Sequence, residues 1–363
     1  MLSKTIFAFE WKLLLLCYLR VCLGFEERIP PRTHDDPWVA RDKCASKDFP
    51  YPQCQCNETH VNCVNSQMTS PDWFLHVHDY PNVVSVTFCG NNFVELPAHI
   101  LGAREYEQLQ ILNLSANYFL QVDGGAFLGM PNLISLDLSH NEIRFDESDV
   151  DLLLPVPKLQ ELRLRKAFPR SMPNATQQMD LFRRMLQKAK LNKLRLLDMS
   201  YNELERIPER LGCAVPNLEV LLLTGNSFRF FHADLACYRR LKKLDLSDNY
   251  FARLDPRFTR FSDSLPNNAV SLQRNPFVCD NRSKDFIDWL RTTPTVQDKA
   301  VIMCQLGPDD SCRIRVMDRS LQDSFSDTAA LMCKSGTPTR PWNLYLIGIP
   351  LVVIEWHTRV VWP

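Results

Sequence analysis

Glycine is scarce, 11 of 363 residues, less than half its usual share of about 7%. No glycine-rich dinucleotide motif, phosphate loop or HExxH is present, so the common nucleotide and zinc-protease fingerprints are excluded. Neither sign of charge is in excess, with 42 Lys plus Arg against 42 Asp plus Glu. That balance removes the basic footprint of a nucleic-acid binder. Also missing is any uninterrupted apolar run of the about 20 residues that a membrane-spanning helix needs.

What is abundant is leucine, 50 residues, and cysteine, 13. Apolar residues at 45% and charged residues at 23% give a globular composition. Grouped cysteines in this number point to an oxidising compartment. At the N-terminus Lys4 and Lys12 flank a short apolar opening, and residues 13–19 are continuously apolar. Cys22, Leu23 and Gly24 then stand just before Glu26, Glu27 and Arg28. This order reads as a secretory signal peptide over 1–24, followed by an extension over 25–43. Glu10 and Arg20 depart from that pattern, and a buried N-terminal helix is the competing reading. Four Asn-x-Ser/Thr sequons, at Asn57, Asn113, Asn174 and Asn281, agree with the secretory route.

The middle of the chain repeats. An LxxLxLxxN template starts at Val83, Val86, Phe88, Asn91, then at Leu109, Leu112, Leu114, Asn117 and at Leu133, Leu136, Leu138, Asn141. A degenerate copy, Leu159, Leu162, Leu164, has Ala167 in place of asparagine. Three full copies follow, ending at Asn202, Asn226 and Asn249, and a truncated one at Val270, Leu272, Asn275. Most starts are 23 to 26 residues apart, the spacing of leucine-rich repeats. Each LxL is a short strand whose alternate side chains enter the core, while the residue between faces solvent. One coil cannot bury its own leucines, so the coils must stack into a solenoid. The fold class expected is therefore α/β: a curved solenoid over 83–274 with a parallel concave sheet.

The coil starting at Leu159 is longer than the others. Its excess, around 171–193, places Met179, Phe182, Leu186 and Ala189 at helical spacing and predicts a short amphipathic helix. The same stretch is basic: between Arg163 and Arg195, Asp180 is the only acid to face Arg163, Arg165, Lys166, Arg170, Arg183, Arg184, Lys188, Lys190, Lys193 and Arg195. A solvated face is the plain reading, and a site for sulfated glycans or an acidic partner the sharper one.

A solenoid must close its open ends. Cys44, Cys54, Cys56 and Cys63 precede the repeats within a segment 44–82, and Cys279, Cys304, Cys312 and Cys333 follow within 275–335. Metal binding is the alternative to disulfides, but paired CxxC spacing and histidines at zinc-finger spacing are both missing. Four cysteines permit three connectivities, so spacing alone does not fix the pairs. His76, His78 and Asp79 form a small group that reads as surface rather than metal site.

Cys44…Cys54-Gln-Cys56…Cys63 resembles the N-terminal cysteine cap of extracellular leucine-rich-repeat proteins. Asn275-Pro-Phe-Val-Cys279-Asp with Phe286, Trp289 and Leu290 resembles their C-terminal cap. The continuation from Val296 to Cys304 is similar to a single-pass cell-surface branch of that family. The resemblance implies the pairs Cys44–Cys56, Cys54–Cys63 and Cys279–Cys304. It places a further cap cysteine where this chain has Asn281, which leaves Cys333 without its usual partner and suggests Cys312–Cys333 instead. Cys213 and Cys237 occupy nearly equivalent places in neighbouring coils and are candidates for a bridge. Cys89 is then the odd cysteine, expected as a buried thiol.

After a linker over 336–343, the tail 344–363 begins with eleven apolar residues, interrupted by Pro350 and followed by Glu355, His357 and Arg359. It reads as an imperfect membrane anchor, with a truncated anchor on a secreted chain and a glycolipid-anchor signal as alternatives.

The usual functional surface of such a solenoid is the concave sheet. Its solvent positions place Leu196, Val220 and Leu222 together, rimmed by Arg195, Asp198, Glu219, Lys243 and Asp245. An apolar centre with a charged rim reads as a protein-binding patch. A glycan on Asn113 would stand on the same face and direct partners to the later coils. No Ser-His-Asp or paired-carboxylate set can be assembled, so neither an enzyme nor a cofactor is expected. The resemblance implies a cell-surface recognition protein with a protein ligand, a Wnt-pathway component among the candidates, acting on signalling and cell adhesion or migration. A secreted matrix protein or soluble signalling inhibitor is the alternative.

Overall fold

The computed structural model describes Cys44 and residues 54–170, 174–306 and 313–317. The signal peptide, the extension, the linker, the tail and the Cys312–Cys333 pair lie outside the described residues.

Ten short strands form one curved sheet. They are β1 (Gln55–Cys56), β2 (His60–Asn62), β3 (Ser85–Thr87), then β5 (Ile111–Asn113), β7 (Ser135–Asp137), β8 (Glu161–Arg163), β9 (Leu196–Asp198), β10 (Val220–Leu222), β11 (Lys243–Asp245) and β12 (Val270–Ser271). Only β1 and β2 pair antiparallel; every later neighbour is parallel. A separate pair, β4 (Glu95–Leu96) and β6 (Gln121–Val122), lies outside this sheet.

The register follows the leucine pattern. Val86, Leu112, Leu136, Leu162, Leu197, Leu221 and Leu244 pair in one row and are all buried. Each such side chain removed from water stabilises the fold by about 1.5–3 kcal/mol. Stacking makes every coil depend on its neighbours for this burial. A spine of aromatic rings, Phe74, Phe88, Phe93 and Phe119, fills the wider convex side of the first coils.

The repeat asparagines run as a buried ladder between coils. Asn226 Nδ2 donates to Met199 O (3.0 Å) and Leu223 O (3.0 Å), while its Oδ1 accepts from Asn202 N (3.0 Å) and Leu204 N (3.1 Å). One side chain thus satisfies four backbone groups where the chain leaves the strand, which is why an amide recurs there. The residue just before the ladder position is left-handed in every coil: Asn65, Gly90, Ala116, His140, Lys166, Tyr201, Gly225, Asp248 and Arg274. In this glycine-poor chain most of these are ordinary residues. At Gly225 a side chain is excluded for a second reason, since a Cβ would lie 2.4 Å from the Tyr201 ring.

Among the described residues five helices decorate the coils: α1 (Asp72–Leu75), α2 (Ala175–Ala189), α3 (Leu211–Ala214), α4 (Pro256–Ser262) and α5 (Lys284–Thr292). The predicted amphipathic segment is α2, which buries Met179, Phe182, Leu186 and Ala189. Both ends of the solenoid are closed. Cys44–Cys56 and Cys54–Cys63 staple the β1–β2 hairpin, whose β2 pairs with β3. At the other end α5 buries Phe286, Ile287 and Leu290, beside a sheet of β13 (Phe277–Val278), β14 (Met303–Gln305) and β15 (Arg313–Arg315). Cys279–Cys304 joins β14 to the residue after β13, and Cys213–Cys237 ties two neighbouring coils with Cα atoms 4.7 Å apart. Cys89 corrects the sequence reading: it is buried, as expected, but disulfide-bonded, its partner lying outside the described residues.

Candidate functional site

The concave face is built by register. Ile111, Ser135, Glu161, Leu196, Val220 and Lys243 align in one row, and Asn113, Asp137, Arg163, Asp198, Leu222 and Asp245 in the other. Between the rows the buried leucines leave both sets facing outward. Leu196, Val220 and Leu222 therefore sit side by side on β9 and β10, and all three are half-buried. Arg195 and Lys243 beside them are exposed. Glu219 binds Lys242 Nζ (2.8 Å), and that bond holds its carboxyl below the ordinary glutamate range.

Two of the expected rim charges do a different job. Asp198 is buried, and its Oδ1 accepts from Ser200 N (2.9 Å). Asp245 is half-buried and holds Ser247 N in the same way (2.9 Å). Asp137 repeats the arrangement with Ser139 N (2.9 Å), and burial raises its carboxyl pKa against the opposing pull of Ser139 and Arg163. These aspartates close the turn out of each strand and offer little free charge to a partner. The missed signal was the Asp-x-Ser recurrence at 137, 198 and 245.

Asn113-Leu-Ser115 is the amide version of that turn. Asn113 Oδ1 accepts from Ser115 N (2.9 Å) and Ser115 Oγ (2.7 Å). Asn57, Asn174 and Asn281 are exposed, and Asn57 Oδ1 accepts from Thr59 N (2.9 Å) and His60 N (2.7 Å). On the concave face the most exposed large apolar residue is Ile111, 44% accessible, well before the expected patch in the strand order.

The basic stretch is not the free patch that its sequence suggested. Arg163 pairs with Glu161 (2.8 Å), Arg183 with Asp180 (2.9 Å), Arg184 with Glu147 (2.5 Å) and Lys188 with Asp151. Arg170 approaches Glu203 at 3.9 Å, while Arg165 and Lys166 lie over the Tyr201 ring at 4.3 and 5.7 Å. Of these cations, Lys190, Lys193 and Arg195 alone carry no such partner among the described residues. Two of the neutralising acids, Glu147 and Asp151, come from a turn of the preceding coil, which sequence proximity did not connect to the helix.

His76, His78 and Asp79 occupy a single turn, His76–Asp79, outside the sheet, and are not brought together as a ligand set. Among the described residues one donor cluster has metal-binding proximity, Cys213, Asp234 and Cys237. Its two sulfurs are bonded to each other, so they are not available as thiolate ligands.

Comparisons with known proteins bear on this surface. The family described as leucine rich repeat matches residues 107–166. Trophoblast glycoprotein of Rattus norvegicus is 30% identical over 320 residues, covering 83% of this chain and 72% of the relative. Trophoblast glycoprotein of Macaca fascicularis is 31% identical over 266 residues, covering 69% of this chain and 61% of the relative. The chain thus spans between three-fifths and three-quarters of these relatives. A crystal structure of human 5T4, also named Wnt-activated inhibitory factor 1 and trophoblast glycoprotein, superposes with a TM-score of 0.61 at 28% identity. That match covers 73% of this chain and 94% of the solved one.

Proposed function

Because this chain belongs to the trophoblast glycoprotein family of leucine-rich-repeat proteins, we propose that it is a non-enzymatic cell-surface glycoprotein that binds a protein partner on its concave face. The observation that carries this reading is the apolar group of Leu196, Val220 and Leu222, registered on adjacent strands between exposed Arg195 and Lys243. Apolar side chains at the centre of a rigid sheet, ringed by charge, fit the anatomy of a protein interface. Glu219, Asp198 and Asp245 belong to the surrounding rim, the two aspartates chiefly by shaping its turns. Asn113 is held through its Oδ1, so a glycan on its Nδ2 is compatible with the strand. Such a glycan would cover the early coils and leave β9 to β11 open.

The partner proposed is a component of the Wnt pathway, on the strength of the name Wnt-activated inhibitory factor 1 carried by the solved relative, with effects on adhesion and migration following from it. Glycans are proposed at Asn57, Asn174 and Asn281 as well. Sulfated-glycan binding at the insertion draws little support once most of its cations are paired. Membrane attachment is assigned to the tail 344–363. No helix among the described residues is long and apolar enough to cross a membrane. The charges Glu355, His357 and Arg359 in that tail favour, as second reading, a secreted matrix or inhibitor protein with the same binding face.

Expression of the full chain in secreting cells tests this proposal. Surface labelling, followed by proximity capture, is expected to retain the chain on the membrane and to recover a Wnt-pathway component. Release of the chain into the medium supports the secreted reading. Capture that yields no saturable partner contradicts the binding role itself.

A further inference from the structure

The repeats carry a second row of backbone pairing, outside the concave sheet. It begins with the parallel pair β4 and β6, whose first residues, Glu95 and Gln121, stand four places after the ladder asparagines Asn91 and Asn117. Phe145 holds the same offset from Asn141, and there α2 ends the row. Phe145 N donates to Gln178 Oε1 (2.9 Å), Gln178 Nε2 donates to Phe145 O (2.6 Å), and the Phe182 ring stacks at 6.0 Å. One glutamine amide thus takes the place of the next strand.

Beyond α2 the row continues in sequence but not in pairing. Arg206 and Phe230 keep the offset from Asn202 and Asn226, yet neither 205–207 nor 229–231 makes a backbone hydrogen bond among the described residues. A groove of about 1450 Å³ opens there, walled on one side by α2. The offset is polar at Glu95, Gln121, Arg206 and Arg253, and it is aromatic twice. Phe145 is covered by α2, whereas Phe230 is 64% exposed, with Tyr250, 57% exposed, lining the same groove. Arg206, Arg210, Arg229 and Arg257 also line it, and none has a carboxylate within ion-pair distance among the described residues. Of the acids there, Asp180 is paired with Arg183, whereas Glu205, Glu209 and Asp255, the last also capping α4, oppose the four arginines and leave one net positive charge.

We propose that this groove receives an extended acidic segment of a partner protein. The segment lies along 229–231 and hydrogen-bonds the unpaired backbone there, sets carboxylates against the four arginines and lays an apolar side chain over Phe230. Unpaired backbone supplies the template, free guanidinium groups supply the charge preference, and the uncovered ring supplies the apolar anchor. The site lies apart from Leu196, Val220 and Leu222 and does not depend on the concave reading.

A labelled short peptide of alternating glutamate and valine, titrated against the full chain by fluorescence anisotropy, tests this directly. A lysine–valine peptide and a backbone N-methylated glutamate–valine peptide serve as comparisons. Saturable binding is expected for the unmethylated glutamate–valine peptide alone, weakened about tenfold or more by Phe230→Glu and by Arg257→Glu. Leu222→Glu is expected to leave it unchanged. Retained melting temperatures in the variants separate a lost contact from a lost fold. The proposal is overturned if no saturable binding occurs, or if the N-methylated peptide binds equally. It is also overturned if a heparin oligosaccharide proves the better ligand, or if Phe230→Glu abolishes self-association in sedimentation, which would give the groove to a second copy.

Discussion

His140 shows how much a single position in the ladder turn can carry. It adopts a left-handed backbone, and burial, reinforced by Lys166 and Arg165, lowers its pKa from 6.5 to about 4. The folded chain therefore holds it neutral while the unfolded chain protonates it below about pH 6.5. Stability from this group is complete above that pH and is lost as the pH falls toward 4, by about 2–3 kcal/mol in all. His140→Asn keeps a residue suited to the left-handed region and removes the titration. Urea midpoints measured from pH 7 to pH 4 are expected to fall less steeply in the variant; parallel curves would refute the assignment. None of this was legible in the sequence, because nothing marks His140 until the coils stack and bring Lys166 beside it. The leucines and the ladder asparagines, Asn141 among them, were legible because each recurs at a period that one backbone geometry explains. Asp198 misled because its chemistry is local, an Asx turn that looks like a surface charge when read one coil at a time.

At the scale of elements, α2 is the longest helix among the described residues and interrupts the repeat, and it is fastened at two levels. Phe182 and Leu186 are buried beneath it, while Arg184 and Lys188 reach Glu147 and Asp151 at its surface. The exposed pairs contribute little, about 0–1 kcal/mol each, so packing decides. Phe182→Ala is expected to cost about 3–5 kcal/mol and to expose Phe145, raising proteolytic cleavage within 171–193. Arg184→Ala is expected to change neither by much. Equal effects of the two substitutions, read by limited proteolysis and thermal melting, would mean that charge rather than packing holds the helix. The helix was legible from apolar spacing. Its docking site was not, because Phe145 lies 33 residues from Gln178 and Glu147 lies 37 from Arg184 in sequence.

For the whole molecule, stacked coils make a quasi-one-dimensional structure in which each unit leans on its neighbours and the disulfide caps close the ends. Such a body presents rigid rows of side chains, and this one presents an apolar cluster in the later coils and a lone apolar residue, Ile111, in the earlier ones. Area alone does not predict affinity; a small, well-placed centre does. The decisive measurement is the dissociation constant of the captured partner for the full chain, compared across Leu222→Glu and Ile111→Glu. The concave account predicts that Leu222→Glu weakens binding by about a hundredfold, roughly 2.7 kcal/mol, while Ile111→Glu leaves it within a few-fold of the parent. Unchanged affinity in a folded Leu222→Glu chain, with or without loss in Ile111→Glu, would contradict it.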